Sequence, residues 1–423
     1  MHCRFCSCSR ESLRNNLQVH HYVQAVARQM RFFSSAYAGM DGDKIAFGGG
    51  TPSILDEQQL ATILDAAYQA FPARGRKILF EAHPMVWSQS QLELLASRGL
   101  HRLCFGVQSM EDAVLRNISR LQTRAKVLWC IRSARKARIP YINVDFVAGL
   151  PGQTIKGLVD DLKTMTNEGV HNISLEPYAS LPLMRMCAPG EDAIAFLRRR
   201  DALMGAAIKF LNGAGYYASG PCCVYSYRGQ DDGHYFYEAH WRFETAVAAF
   251  GPAAKGQFPS GVFYQASPAV DPSFQAMACP QDLSDLMAHY VLVEIIGNNG
   301  LDEQDFFARF GGPLTKNCID GLHYLHRSGL VARSRGTWKF DGNWEIDRIG
   351  EFMALSRMLF GEGRILELRK RYNESYDQRQ DYGRGYISIR NQEDPFLLIQ
   401  YYQKKQSKIS RRHKQCDIGN RAI

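Results

Sequence analysis

The chain has 423 residues, room for two or three domains at roughly 100 to 200 residues each, or for an α/β barrel of roughly 200 to 250 with additions. Hydrophobic residues make up 45% and charged residues 22%, which excludes a wholly disordered chain. No run of about 18 apolar residues occurs, and the opening MHCRFCSCSR has polar groups where a signal peptide carries its apolar stretch, so neither a membrane span nor Sec export is expected and the cytoplasm is. Of the net charge of +9, residues 401–423 supply +6 through seven Lys/Arg against Asp417. The bulk charge is therefore no argument for a nucleic-acid partner, and the basic end reads as a solvated tail.

In chain order, Leu17, Val19, Val23, Val26, Met30 and Phe33 form an apolar stripe that predicts a packed helix from Asn16 to about Phe33. KIAFGGGTPSI is a short strand stopping at three glycines, and EQQLATILDAAYQAF after Asp56 is a second helix. The alternation repeats: KILFEAHP as strand, a helix opened by Ser88 and stopped by Gly99, RLCFGVQS as strand, EDAVLRNI and AKVLWCIRSARKA as helices. YINVDFVAGLPGQT is then a strand ending in a Gly-Leu-Pro-Gly loop, IKGLVDDLKTMTNEG a helix and HNISLEPYASLP a strand. Strands alternating with helices in this way pair in parallel through right-handed crossovers.

The beat stops near residue 190. Asp201 to Gly213 reads as a helix leading into an aromatic, Gly-rich stretch of loop and irregular strand. From Gln281 the pattern is three helices and a hairpin, a winged-helix-like module with few basic residues on its middle helix, which favours a structural or lid role over DNA binding. The expected domains are a core over 1–190, an irregular substrate-side region over 191–280, the helical module over 281–372 and a poorly ordered polar tail over 373–423.

In parallel α/β folds chemistry gathers at the C-terminal ends of the strands. Gly48 to Thr51, Glu81, Gln108, Asp145 and Tyr178 all fall there. Taken singly, the glycines could make an ordinary turn, and Gln108 or Asp145 could be a satisfied buried polar residue. Their co-occurrence points to one shared site. Cys3, Cys6 and Cys8 crowd the N-terminus, while no His or second Cys pair stands at a distance that would complete a zinc site, and adjacent Cys222 and Cys223 suit one ion poorly. An iron-sulfur cluster that leaves one iron without a protein ligand needs only three such thiolates. Cys104, Cys130, Cys187, Cys279, Cys318 and Cys416 read as buried or incidental thiols. His234, Tyr235, Tyr237, His240 and Trp241 could line a substrate pocket or simply pack.

The segments CRFCSC, FGGGTPSIL, FEAHP, HRLCFGVQSMEDAVLRNISR, VDFVAGLPGQT and PYASLP, in that order, resemble the radical S-adenosylmethionine (SAM) superfamily over roughly residues 3 to 182. Within it they are similar to the oxygen-independent coproporphyrinogen III dehydrogenase family. The resemblance implies an α/β fold, a partial (β/α)6 barrel here lacking its first strand, with the winged-helix-like module after it. It implies a 4Fe-4S cluster with Cys3 and Cys6 as ligands and Cys8 as a tentative one, and SAM bound by Gly49, Gly50, Thr51, Glu81, Gln108, Arg120 and Asp145, with Tyr178 and Ala179 on the adenine side. In that family an external electron donor reduces the cluster, one electron cleaves SAM, and the resulting 5′-deoxyadenosyl radical abstracts hydrogen from a small-molecule substrate, so the resemblance implies no catalytic side chain beyond the cofactors. Hydrogen abstraction from porphyrinogen propionates followed by loss of carbon dioxide is the first expectation. Methyl or methylene transfer to an aromatic heterocycle and haem delivery by a chaperone relative are the alternatives.

The sequence departs from the family at its start. The family's C-x-x-x-C-x-x-C pattern aligns with Cys3 and Cys6 as second and third ligands, which puts the first ligand before Met1, together with the strand that opens the barrel. The expectations are a start codon assigned too late, a truncated product, or recruitment of Cys8 as third ligand, although Cys8 has a family counterpart outside the cluster.

Overall fold

The structure, a computed structural model, describes residues 15–39, 42, 44–72, 77–178, 193–218, 224–228, 246–252, 254–257, 263–266, 276–279, 282–296, 300–340, 355, 358–360 and 387–389. The chain divides into two compact units, one from 1–23, 41–68 and 72–237, the other from 24–40, 69–71 and 238–423. Helix α1 (Asn16–Phe33) has the bounds its stripe predicts.

In the first unit, the glycines after β1 (Lys44–Phe47) end that strand early, and α2 (Glu57–Ala70) starts after Asp56, whose carboxylate accepts from the Gln59 N–H while the Gln59 side chain accepts from the Asp56 N–H. The next pair is β2 (Lys77–Ala82) and α3 (Gln89–Ser97), opened by a capping box between Ser88 and Gln91 and followed by Gly99 at φ +98°. Then come β3 (Leu100–Gln108), the short α4 (Asp112–Asn117), α5 (Arg124–Lys136) capped by Thr123, β4 (Tyr141–Ala148), α6 (Ile155–Asn167) capped by Thr154, and β5 (Asn172–Pro177). Helix α7 (Ala193–Gly213) begins eight residues before the expected Asp201, where Phe196 packs edge-on against Tyr178. Strands β6 (Tyr216–Ala218) and β7 (Val224–Tyr227) follow.

The sheet order is β1-β2-β3-β4-β5-β7-β6. The first five strands are parallel, and β7 and β6 close the order antiparallel. This is the partial parallel barrel expected, not closed, ending in the hairpin that the aromatic stretch had shown only as irregular strand. Along β3, β4 and β5 burial divides the residues by parity: Phe105, Val107, Val144, Phe146, Ile173 and Leu175 are fully buried, whereas Cys104, Gly106, Asp145 and Glu176 lie on a more open face. The buried set faces the helices; the polar set lies on the other face.

In the second unit, β8 (Lys255–Gln257), β9 (Phe263–Ala266) and β10 (Ala276–Cys279) form an antiparallel sheet with β14 (Ile387–Ile389), in the order β14-β10-β9-β8. The Tyr37 hydroxyl is shared between the carbonyls of Val247 and Gln257. The winged-helix outline consists of α8 (Leu283–Ile296), β11 (Leu301–Asp302), α9 (Glu303–Phe310), α10 (Lys316–Arg327) and the hairpin of β12 (Val331–Ser334) with β13 (Thr337–Phe340). Asp302 caps α9 and also accepts from the Thr337 hydroxyl, tying helix to wing. Val291, Ile295, Phe306, Leu322, Leu325 and Trp338 fill its core.

Candidate functional site

Where β1 ends, a Cβ on Gly48 would lie 2.9 Å from Oε1 of Glu81 and 3.2 Å from Oε2, so the glycine is what lets the whole carboxylate rest over the loop backbone. Gly49, at φ +91°, donates its N–H to Glu81 Oε2 at 3.3 Å. Gly50 has open space where a Cβ would be, and Thr51 begins a tight turn that returns the chain to α2. Sequence-predicted Gly49 and Glu81 therefore meet in one cradle, and Gly50 and Thr51 follow along its loop.

A second cradle stands at the end of β3. The register with β4 shifts between Gly106 and Gln108, and Gln108 adopts φ +69°, which turns its side chain back over Gly106. A Cβ on Gly106 would be 3.1 Å from Gln108 Nε2 and 3.2 Å from Arg120 Nη2. Arg120, buried, donates from Nη2 to the Gly106 carbonyl and from Nε to Gln122 Oε1 at 2.8 Å. Gln122 in turn donates to the carbonyls of Val107 and Ser109, and Asp161 accepts from the Ser109 hydroxyl at 3.0 Å and the Met110 N–H at 2.8 Å. Burial pushes the Asp161 carboxyl up to about 6.

Next to the second cradle, across β3 to β5, lies a polar floor. Asp145 Oδ2 accepts from the Cys104 thiol at 3.0 Å, and Oδ1 from Asn143 Nδ2 at 2.7 Å. Burial, with Asp145 and Glu81 beside it, drives the Cys104 thiol well above its ordinary range, so it stays protonated. Glu176 occupies the same face of β5, two residues beyond Ser174, which pairs with Asp145. It reaches the surface, and desolvation together with the neighbouring Asp145 raises its carboxyl to about 7. His83, past the end of β2, accepts the Met85 N–H at Nδ1 and so carries its proton on Nε2, which has no partner among the described residues. Burial and the Arg120 charge hold His83 down at about 4, hence neutral.

Buried glutamines hold three of the loops. Gln91 donates to the carbonyls of Ser53 and Leu55 after β1, Gln122 grips the turn after β3, and Gln153 accepts from the Gly149 and Leu150 N–H groups while donating to Val147 after β4.

The structure thus brings Glu81, Gln108, Arg120 and Asp145 to the ends of three neighbouring strands. Tyr178 differs: its ring is buried among Val114, Ile118, Leu150 and Phe196, so the structure uses it for packing. Ala179, the thiols Cys3, Cys6 and Cys8, the aromatic group at 234–241 and most of the basic tail lie outside the described residues. Cys104, an incidental thiol by sequence, touches Asp145, and sequence reasoning does not single out Asn143 or Glu176. Their signal is the two-residue alternation with Asp145 and Ser174 along β4 and β5, which marks a shared face. Among the described residues no cluster of His, Cys, Asp and Glu is arranged to hold a metal ion, and no helix is long and apolar enough to cross a membrane.

Comparison with known proteins places this geometry. The model of the radical SAM superfamily matches residues 1–165. The heme chaperone HemW of Bacillus subtilis is 29% identical over 182 residues, 41% of this chain and 48% of that protein. The oxygen-independent coproporphyrinogen III oxidase of Helicobacter pylori is 27% identical over 219 residues, 51% of this chain and 48% of that protein. The chain's matches thus span about half the length of these curated relatives. The solved structure of coproporphyrinogen III oxidase (HemN) from Escherichia coli, described as a radical SAM enzyme, superposes with a TM-score of 0.73 at 18% identity over 84% of this chain and 87% of that one, a likeness of fold. Radical SAM proteins use a 4Fe-4S cluster and SAM, and two glycine cradles roofed by a carboxylate and by an amide with a guanidinium fit the polar ends and hydroxyls of SAM. The motifs on adjoining strand ends and the match over residues 1–165 agree in likening this part of the chain to the radical SAM superfamily.

Proposed function

We propose that the chain is a radical SAM oxidoreductase of the coproporphyrinogen oxidase type, acting on propionate side chains of a porphyrinogen or a related small molecule. When bound and reduced by an external electron donor, the cluster and SAM supply a one-electron cleavage that yields a hydrogen-abstracting radical. The chain's own residues bind and orient. The Glu81 carboxylate, fixed over Gly48 and by the Gly49 N–H, accepts from an ammonium group or a hydroxyl; Asp145 accepts from hydroxyls; Gln108 and Arg120 present donors to a carboxylate. Glu176 holds a proton on its carboxyl up to about pH 7, which removes one negative charge from the face that also carries Asp145. That favours an anionic substrate at neutral pH.

The observation that carries the reading is the convergence of these groups over two glycines whose side-chain positions are already filled by Glu81 and by Gln108 with Arg120. Full chain reconstituted anaerobically with iron and sulfide, then given SAM and dithionite, should produce 5′-deoxyadenosine and, with coproporphyrinogen III, a vinyl-bearing product with release of carbon dioxide. Absence of 5′-deoxyadenosine would refute it. The similarity to HemW supports a second reading, a heme-binding chaperone, whose mark is tight heme binding with no porphyrinogen turnover.

A further inference from the structure

Two residues beneath Asp145, Asn143 and Cys104, bond its carboxylate from the row below. Asn143 pairs with Cys104 across β3 and β4, and Asp145 pairs with Gly106 one row nearer the strand ends. Both donors therefore reach the Asp145 carboxylate from the same side, Asn143 at Oδ1 and Cys104 at Oδ2. A carboxylate has about four acceptor positions. With two taken from the row below, the remaining two are left for the side toward the strand ends, where Gln108 and Arg120 fill the space over Gly106.

The clamp is itself held. Asn143 is 1% exposed, and its Oδ1 accepts from Arg102 Nη2 at 3.3 Å, which fixes the amide with Nδ2 toward Asp145. Nδ2 also lies 2.8 Å from the Cys104 sulfur and 3.2 Å from the Ser174 hydroxyl. The Cys104 proton has one good destination, Asp145 Oδ2, because a thiolate beside Asp145 and Glu81 is strongly disfavoured.

We propose that Asn143 and Cys104 are positioning residues that clamp the Asp145 carboxylate from below so that its free lone pairs meet the hydroxyls of bound SAM. This rests on the reading of Asp145 as a SAM contact. Calorimetric titration of the full chain, reconstituted with iron and sulfide, with S-adenosylhomocysteine tests both. Asp145→Asn should weaken binding about tenfold or more, Asn143→Ala about tenfold and Cys104→Ala about threefold, while Cys104→Ser, which keeps a donor, stays within about twofold of the native chain. In the Asp145→Asn background, Cys104→Ala and Asn143→Ala should have no further effect. Undiminished binding by Asp145→Asn overturns the reading of Asp145. Weakened binding there, with Cys104→Ala and Asn143→Ala either silent or equally harmful in both backgrounds, overturns the clamp alone. A second readout needs no ligand: the S–H infrared band isolated by subtracting the Cys104→Ser spectrum should move to higher frequency in Asp145→Asn, and an unmoved band overturns the clamp.

Discussion

Gly48→Ala is the sharpest test of the first cradle. The new Cβ would stand 2.9 Å from Glu81 Oε1, 3.1 Å from Cδ and 3.2 Å from Oε2, so every terminal atom of the carboxylate must move. The backbone at this position is not left-handed, and the obstacle is the end of a flexible side chain, so the fold should lose no more than about 1 kcal/mol. Ligand binding should lose more. Displacing Glu81 breaks its contact with the Gly49 N–H and takes a charged acceptor from its place, and hydrogen bonds to charged groups contribute about 1.5–3 kcal/mol. At about 1.4 kcal/mol per decade, S-adenosylhomocysteine should bind roughly ten- to hundredfold more weakly. Calorimetry and thermal unfolding of the same preparations read the two effects separately. Unchanged affinity, or an affinity loss matched by an equal loss of stability, would refute the cradle.

Other substitutions probe the supports. Because burial raises the Asp161 carboxyl to about 6 in the fold, the folded state binds the extra proton, so this group's contribution is fully present below about 3.8 and is lost as pH rises through about 6. Asp161→Asn keeps an oxygen for Ser109 and Met110, and above pH 6 it should exceed the native chain by up to about 3 kcal/mol in denaturant melts, with the gap closing toward pH 4. A constant gap would contradict this. For Glu176, binding of an anionic porphyrin should weaken as pH rises through about 7, and Glu176→Gln should flatten that profile in fluorescence titrations. Ser88→Ala removes the capping box of α3 and should cost about 1 kcal/mol in chemical unfolding. Leu322→Ala, fully buried in the winged-helix-like core, should cost about 2–5 kcal/mol, seen as earlier loss of hydrogen-exchange protection in α8 to α10.

Much of the parallel sheet was legible because its punctuation is local. Three glycines end β1, Ser88 with Gln91 opens α3, and Gly99 at φ +98° stops it; each acts within four residues. The same holds for Glu81, Gln108 and Asp145, which stand out as polar residues at the ends of apolar strands. What stayed hidden is non-local. The sheet of β8 to β10 with β14 joins Ala276 to Ile389, and short strands carry too little periodicity to announce such a partner. The first turns of α7 carry Phe196, whose ring meets Tyr178 across a long gap in sequence. Cys104 looked incidental because a thiol on a strand reveals neither which face it occupies nor what stands on the next strand; its meaning came only from the register that sets it beside Asn143 and below Asp145. The glutamines show the same limit from the other side. Gln91, Gln122 and Gln153 are buried amides on exposed-looking helical or loop stretches, yet each satisfies the backbone of a loop at a strand end. A ligand site built on loops loses affinity when the loops must be ordered on binding, so these amides, which hold the loops after β1, β3 and β4 before any ligand arrives, are the physical reason that residues distant in sequence can act as one site.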